Sequence, residues 1–434
     1  MLDLGETLQP SSGVVRRFSI APPWDSPLWN ALADIGLSEA SEECGREDDT
    51  FVYVGAYGWT RQSTLTRCCG ESVERYSLIQ PQTDPLVIHR GTSGLGNELV
   101  EACLLAPGGE SVSTDLAYVV EPSSGESPEV AQWDSMDPAW PRRTVPVWLL
   151  TDPPSDTTWI DASPSATAAG PSQTSAARSA LLESIERDAI QCFWALRPAL
   201  TFYDSILLTS HLDAIPKRNL ADVQDYLQAH ALEARTLLAP TDVHGIHIGV
   251  TFVDGEYAGN PILSMGGRAS DSPVECVEAS LREALQVHVA MRTQVDHHPE
   301  SRRIGPIRDD ITRSWYCMSP AARDHYRGWL ARASQQILPN DDIAQEDVTF
   351  TDLVSHMRHA GLRPLLADLT PRLPTAVQSL GWHSLRALVL GHQPYRMDET
   401  RQWTWSSGRL AKWRARLSDS EEVPLSRVPP HPLI

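Results

Sequence analysis

The sequence predicts a mixed α/β fold with sheets flanked by helices, and three observations carry that expectation. Short apolar or alternating runs at 51–54, 145–150, 247–253, 362–367 and 384–390 have the length and pattern of strands. Longer amphipathic stretches, from residue 60 past 75, at 175–196 and at 272–291, have the 3.6-residue period of helices. A charged six-residue segment in the first of these helices recurs in the second, which points to an internal duplication. No linker cuts the 434 residues cleanly, so strands and helices are expected to alternate within a single domain spanning 1–434.

Taken in order, the run at 51–54 ends at Gly55 and is followed by Gly58-Trp59-Thr60, where Thr60 is placed to cap a helix running through Arg75. From 104 to 175 the chain is rich in Pro, Ser, Gly and Thr around the apolar run 145–150, which predicts long connections about one buried strand. In the helix at 175–196, Leu181, Ile185, Ala189 and Cys192 share an apolar face, and Glu183, Glu186 and Arg187 lie on the polar one. The alternating stretch 247–253 leads to a third helix at 272–291 carrying Glu283 and Gln286, and two more buried strands precede a Pro-rich tail at 425–434.

Composition narrows the function. With 36 Lys plus Arg against 56 Asp plus Glu, the net charge of −20 repels nucleic acid and anionic membranes, so neither is an expected partner. A hydrophobic fraction of 41% with 14 Trp belongs to a folded globular chain. The N-terminus has no basic or apolar signal region, and no stretch approaches the roughly 20 apolar residues of a membrane span, so a cytoplasmic location is expected. Seven cysteines without a C-x-x-C pair predict reduced structural thiols rather than a zinc site or disulfide framework. Gly94-Leu95-Gly96 lacks the third glycine of a nucleotide loop and reads as an ordinary loop. His244 and His247 are expected on opposite faces of a strand and not as joint metal ligands, and His297 and His298 in a polar loop.

The recurrent segment carries the chemistry. Gly70-Glu71-Ser72-Val73-Glu74-Arg75 returns as Leu182-Glu183-Ser184-Ile185-Glu186-Arg187, so that Glu183 follows Glu71 by 112 residues. One E-x-x-E-R arises by chance in about one chain in ten of this length; two on amphipathic helices are far less expected. Positions i, i+3 and i+4 share a helix face, so each motif presents two carboxylates and a guanidinium together. Carboxylate oxygens suit Mg2+, and a guanidinium suits phosphate. The competing reading is a solvated salt-bridge face stabilised by only about 0.2–0.5 kcal/mol per pair.

At these residues the chain resembles the YcaO family over nearly its full length. The resemblance runs through SSGVVRRF near Ser11, VGAYGWT before the first motif, TAAG before ALLESIERDA, PVECVEASLREALQ, LLADLT, LVLGHQP and the Pro-rich end. It implies an internally duplicated YcaO fold that binds ATP and Mg2+ through acidic helices. Typical members cyclodehydrate peptides: a Cys, Ser or Thr side chain attacks the preceding amide carbon, and ATP phosphorylates the amide oxygen, which leaves as phosphate. Related members form thioamides or amidines. By this resemblance Glu71 and Glu183 are metal ligands, and Glu74, Arg75, Glu186, Arg187 and Gln286 bind the nucleotide. Peptide-cyclising members often end in P-x-P-x-P, which makes Pro430, Pro432 and Ile434 candidates for a tail reaching the active site. Tyr57, Pro171, Ser175, Ala290 and the stretch Arg67-Cys68 depart from the family's pattern, so a partly degenerate nucleotide site, or a non-catalytic subunit binding peptide or a partner enzyme, is the alternative expectation. The family-like region begins within about the first fifteen residues, so a separate leader-binding protein is expected to present the precursor peptide; a homodimer is a further assembly the resemblance allows.

Overall fold

The computed structural model describes residues 2–35, 52–79, 81, 83–122, 140–152, 159–161, 163–297, 305–335, 347–417 and 424–434. In chain order the strands are β1 (Val15–Ala21), β2 (Trp29–Ile35), β3 (Val52–Gly58), β4 (His89–Gly91), β5 (Thr114–Val120), β6 (Arg142–Pro146) and β7 (Thr167–Gly170). They continue with β8 (Thr201–Asp204), β9 (Glu233–Ala239), β10 (His247–Tyr257), β11 (Asn260–Ser270), β12 (Ser334–Gln335), β13 (Arg363–Asp368) and β14 (His383–Leu390). The chain divides into two compact units: Met1–Pro23, Leu28–Ser184 and Phe350–Leu390 form the first; Trp24–Pro27, Ile185–Thr349 and Gly391–Ile434 form the second.

The first unit holds an antiparallel sheet of order β1-β2-β3 and a larger sheet of order β4-β5-β13-β14-β7, with β6 paired to β5. The first acidic helix, Arg61–Leu78, starts where the sequence places its cap: Thr60 is extended, its hydroxyl accepts from the Ser63 backbone N–H at 3.1 Å, and Ser63 Oγ accepts from the Thr60 N–H in return. The helix buries Cys68, Cys69 and Val73 in one cluster with Ala31, Ala33, Val54 and Ala56. The apolar run at 145–150 is buried as expected, but only partly as a strand. β6 ends at Pro146, whose missing N–H cannot extend the ladder, and Val147–Leu150 follows as a 3-10 turn.

The second unit is built on a five-stranded sheet of order β11-β10-β9-β8-β12. Trp194, Phe202, Phe252, Tyr326 and Trp329 pack ring against ring beside it, the Phe252 and Tyr326 centroids being 4.7 Å apart. The third acidic helix, Pro273–His297, lies directly on β10 and β11 because the strands offer backbone without side chains there. A Cβ on Gly249 would stand 2.5 Å from the Cys276 carbonyl oxygen, and one on Gly266 would collide with the Ser280 carbonyl and the Ala284 N–H. Gly266→Ala is therefore expected to destabilise the protein by about 1–3 kcal/mol through overpacking, read as a lowered urea midpoint. An unshifted midpoint would contradict this packing.

Six cysteines are free thiols, five of them buried; Cys44 lies outside the described residues. Burial pushes Cys68 up to about 11 and Cys276 up to about 12, which keeps both protonated and structural. His244 sits in the turn before β10 and not on a strand, as Gly245 with its positive φ breaks the alternation at that point. His297 closes the third acidic helix and so is not in a loop; His298 lies outside the described residues.

Candidate functional site

In the first unit, Glu71, Glu74 and Arg75 follow one another along the first acidic helix, and Glu183 comes from the second, Gln173–Leu196, which β7 feeds. Arg75 Nε donates to Glu71 Oε1 at 2.8 Å, and Arg75 Nη1 stands 4.0 Å from Asp152 Oδ2. The Glu74 carboxyl is pushed well above the usual carboxylate range, first by burial and then by the like charges of Glu71 and Glu183, which Arg75 and Arg386 only partly offset. Like charges crowded about a half-buried carboxylate are what a divalent cation relieves, so the donor set fits Mg2+ in kind. Among the described residues, however, no three His, Cys, Asp or Glu side chains are already gathered at metal-holding distance.

In the second unit, Glu186 and Glu283 are held against the edge of the sheet. Glu186 Oε2 accepts the Ala269 N–H at 3.2 Å and Glu283 Oε2 accepts the Gly267 N–H at 2.8 Å, two alternate amides of β11. A Cβ on Gly267 would come within 3.0 Å of Glu186 Oε1, so glycine leaves room for the carboxylate. Burial raises the Glu186 pKa; Arg187, with its Nη1 3.7 Å from Glu186 Oε1, opposes this and Glu283 reinforces it. Gln286 lies half-buried one turn beyond Glu283, and Ala290 one turn further is exposed.

Arg187 also faces the ring of Tyr395, with its guanidinium carbon 5.2 Å from the centroid. Tyr395 Oη donates to the Leu433 carbonyl at 2.8 Å, so the second motif is linked to the C-terminal tail through one aromatic ring. The tail is anchored along its length. Trp194 Nε1 donates to the Pro429 carbonyl at 2.8 Å, and Arg313 Nη1 to the His431 carbonyl at 2.9 Å. His431 Nε2 meets the Arg396 carbonyl at 2.9 Å, and Ile434 packs against the apolar cluster that contains Ile262, Val287 and Trp315. Pro430 is half-buried, and His431, Pro432 and Leu433 are buried.

Burial holds three histidines of this unit neutral: His431 well below its usual range, His288 at about 3 and His325 at about 4. Their unfolded value is about 6.5, so between that value and the folded ones the unfolded chain binds more protons and stability rises with pH. Their contribution is complete above about pH 6.5 and is lost as pH falls. The urea midpoint is expected to decline between about pH 6.5 and 5.5, before carboxylates of ordinary pKa protonate; a flat profile over that window would show that these rings are not held neutral.

The structure thus assembles Glu71, Glu74, Arg75 and Glu183 in the first unit, and Glu186, Arg187 and the tail in the second. Sequence reasoning missed three participants. Asp152 lies in the Pro-rich stretch and carries no pattern. Glu283 was visible beside Gln286, but its bond to β11 was not. Arg386 was signalled only as a lone charge in the apolar strand run SLRALVL.

The family model described as YcaO cyclodehydratase, ATP- and Mg2+-binding, matches residues 55–392. The chain belongs to the YcaO family of ATP- and Mg2+-binding cyclodehydratases. Solved structures share the fold: YcaO from Methanopyrus kandleri bound with AMPPCP and Mg2+ is 17% identical, with a TM-score of 0.62, covering 91% of this chain and 90% of that one. A heterocyclase in complex with substrate and cofactor is 16% identical with a TM-score of 0.62, covering 91% of this chain, which spans about half, 53%, of the heterocyclase. The E. coli microcin synthetase McbBCD complex contains a chain 12% identical with a TM-score of 0.55, covering 86% of each. No curated protein matches the sequence. Among the described residues no helix is long and apolar enough to cross a membrane.

Proposed function

We propose that this YcaO enzyme activates backbone amides of a ribosomally made precursor peptide and cyclodehydrates Cys, Ser or Thr residues to thiazolines or oxazolines. The observation that carries this reading is the C-terminal tail, buried and tied through Tyr395 to the arginine of the second motif. ATP bound with Mg2+ supplies the phosphoryl group that turns the amide oxygen into a leaving group. Glu71 and Glu183 would offer Mg2+ its carboxylate oxygens, and Glu74 in the first unit and Glu186 in the second would serve the nucleotide. Arg75 and Arg187 would present fixed positive charge to phosphate, and the Gln286 amide would hydrogen-bond the nucleotide. The tail, stiffened by Pro430 and Pro432, presents the Ile434 carboxylate, which takes the proton of the attacking thiol or hydroxyl. A separate leader-binding protein delivers the precursor, and the reaction takes place in the cytoplasm.

Incubation with precursor, partner and Mg-ATP is expected to yield a product lighter by one water per ring, whereas a thioamide or amidine would show a different mass. Deleting residues 430–434 should lower turnover by about 100-fold, the scale set by misplacing a catalytic group. Unchanged turnover would remove the tail from the mechanism. A second reading, a subunit that binds peptide or another enzyme without catalysis, is favoured by the exposed Ala290 beyond Gln286 and by the absence of a gathered three-ligand set among the described residues. Calorimetry with Mg-ATP separates the two, since clear binding defeats the second reading.

A further inference from the structure

Arg386 on β14 is the basic residue of the acidic cluster in the first unit that the motif does not account for. Its side chain is more than nine-tenths buried. Two bonds fix it, both to neutral groups: Nη1 to Thr167 Oγ1 at 3.3 Å and Nη2 to the Ser163 carbonyl at 2.8 Å. Its Nε has no hydrogen-bond partner. A buried guanidinium N–H left unpaired is costly, and here it persists within electrostatic reach of Asp152, Glu183 and Glu74. Backbone geometry explains the juxtaposition. Ser384, two residues back on the same strand face, meets Ser77 of the first acidic helix at 2.7 Å between hydroxyl oxygens, and Ser77 lies one turn beyond Glu74. The neighbouring Arg372 is committed elsewhere, to Asp84 at 2.6 Å, and Arg75 to Glu71.

We propose that Arg386 is a positioning residue whose fixed positive charge adjusts this carboxylate cluster to receive a metal–nucleotide complex instead of a bare cation. The inference rests on the nucleotide-site reading above. Glu71, Glu74, Glu183 and Asp152 against Arg75 and Arg386 leave a formal charge of minus two, opposite to that of Mg2+. Removing Arg386 leaves minus three, which draws a bare dication more strongly and repels the anionic phosphates that accompany it. The rigid attachment to Thr167 and Ser163 keeps the charge behind the carboxylates without tying up their oxygens.

The test is a pair of titrations by calorimetry, Mg2+ alone and AMPPCP with Mg2+, on the parent chain and on Arg386→Met, Arg386→Gln and Arg386→Lys. The neutral variants should bind Mg2+ alone severalfold more tightly and Mg-AMPPCP at least about 10-fold more weakly, whereas Arg386→Lys should stay near the parent in both. These opposite shifts are not produced by general loosening of the fold, which would weaken both together. If Arg386→Met does not fold, the Gln and Lys variants carry the comparison. Equal weakening of both ligands, or no change in either, overturns the role of Arg386. A parent chain that binds no Mg-AMPPCP overturns instead the nucleotide reading on which the inference stands.

Discussion

Replacing Arg409 by methionine is expected to lower stability by about 3–5 kcal/mol, more than any other single change considered, because it strands a buried carboxylate. Arg409 sits on the helix Ser407–Arg416 and is almost fully buried, as is Asp188. Its Nε donates to Asp188 Oδ1 at 2.9 Å and its Nη2 to Asp242 Oδ1 at 2.8 Å. Asp188 accepts in addition from the Gln393 N–H at 2.7 Å and more distantly from Trp413 Nε1 at 3.4 Å. Methionine fills the same space and removes every charged bond, leaving Asp188 with neutral donors in a site that excludes water. The loss should appear as a lower urea midpoint with the slope preserved. A decrease of less than about 1 kcal/mol would mean that the pair contributes no more than a surface bridge. Since Asp188 directly follows Arg187, the same variant should also loosen the second motif.

Glu74→Gln should have the opposite profile: turnover falls by about 10²–10³-fold while the melting temperature stays equal to the parent's or rises. The substitution keeps the shape of the side chain and deletes a charge that burial, Glu71 and Glu183 all disfavour. A group retained against such opposition contributes function at a cost in stability. Activity measured as loss of water from the precursor, beside a thermal melt, checks both halves. A marked fall in melting temperature would show that Glu74 is a structural ion-pair partner, and undiminished turnover would remove it from the site.

The two motif helices were legible because their chemistry is local. The i, i+3, i+4 spacing fixes a shared face whatever lies around it, and Thr60 with Ser63 marks the start of the first helix within four residues. The placement of β13 and β14 between β5 and β7 was not legible, since both edges of that pair are supplied by strands some 200 residues earlier in the chain. Arg386 reaches the carboxylates only through that pairing, so its role was hidden for the same reason. Arg313 offers a second case. Nothing in the run ITRSWYC marks it out, yet it donates to Glu399 and to the backbone carbonyls of Arg396, Met397 and His431, and so ties down a tail more than a hundred residues away. The prolines of that tail signalled stiffness, but not what would grip it.

The carboxylates on β11 have a consequence for solubility as well as for chemistry. An outer strand with free amides is a template on which a foreign strand can add, and many proteins guard such margins with charge, proline or a bulge. Here Glu283 and Glu186 occupy the Gly267 and Ala269 amides at the margin of the five-stranded sheet. Glu186, which the proposed function assigns to the nucleotide, and its neighbour Glu283 therefore also take up two of the amides on which a foreign strand would add.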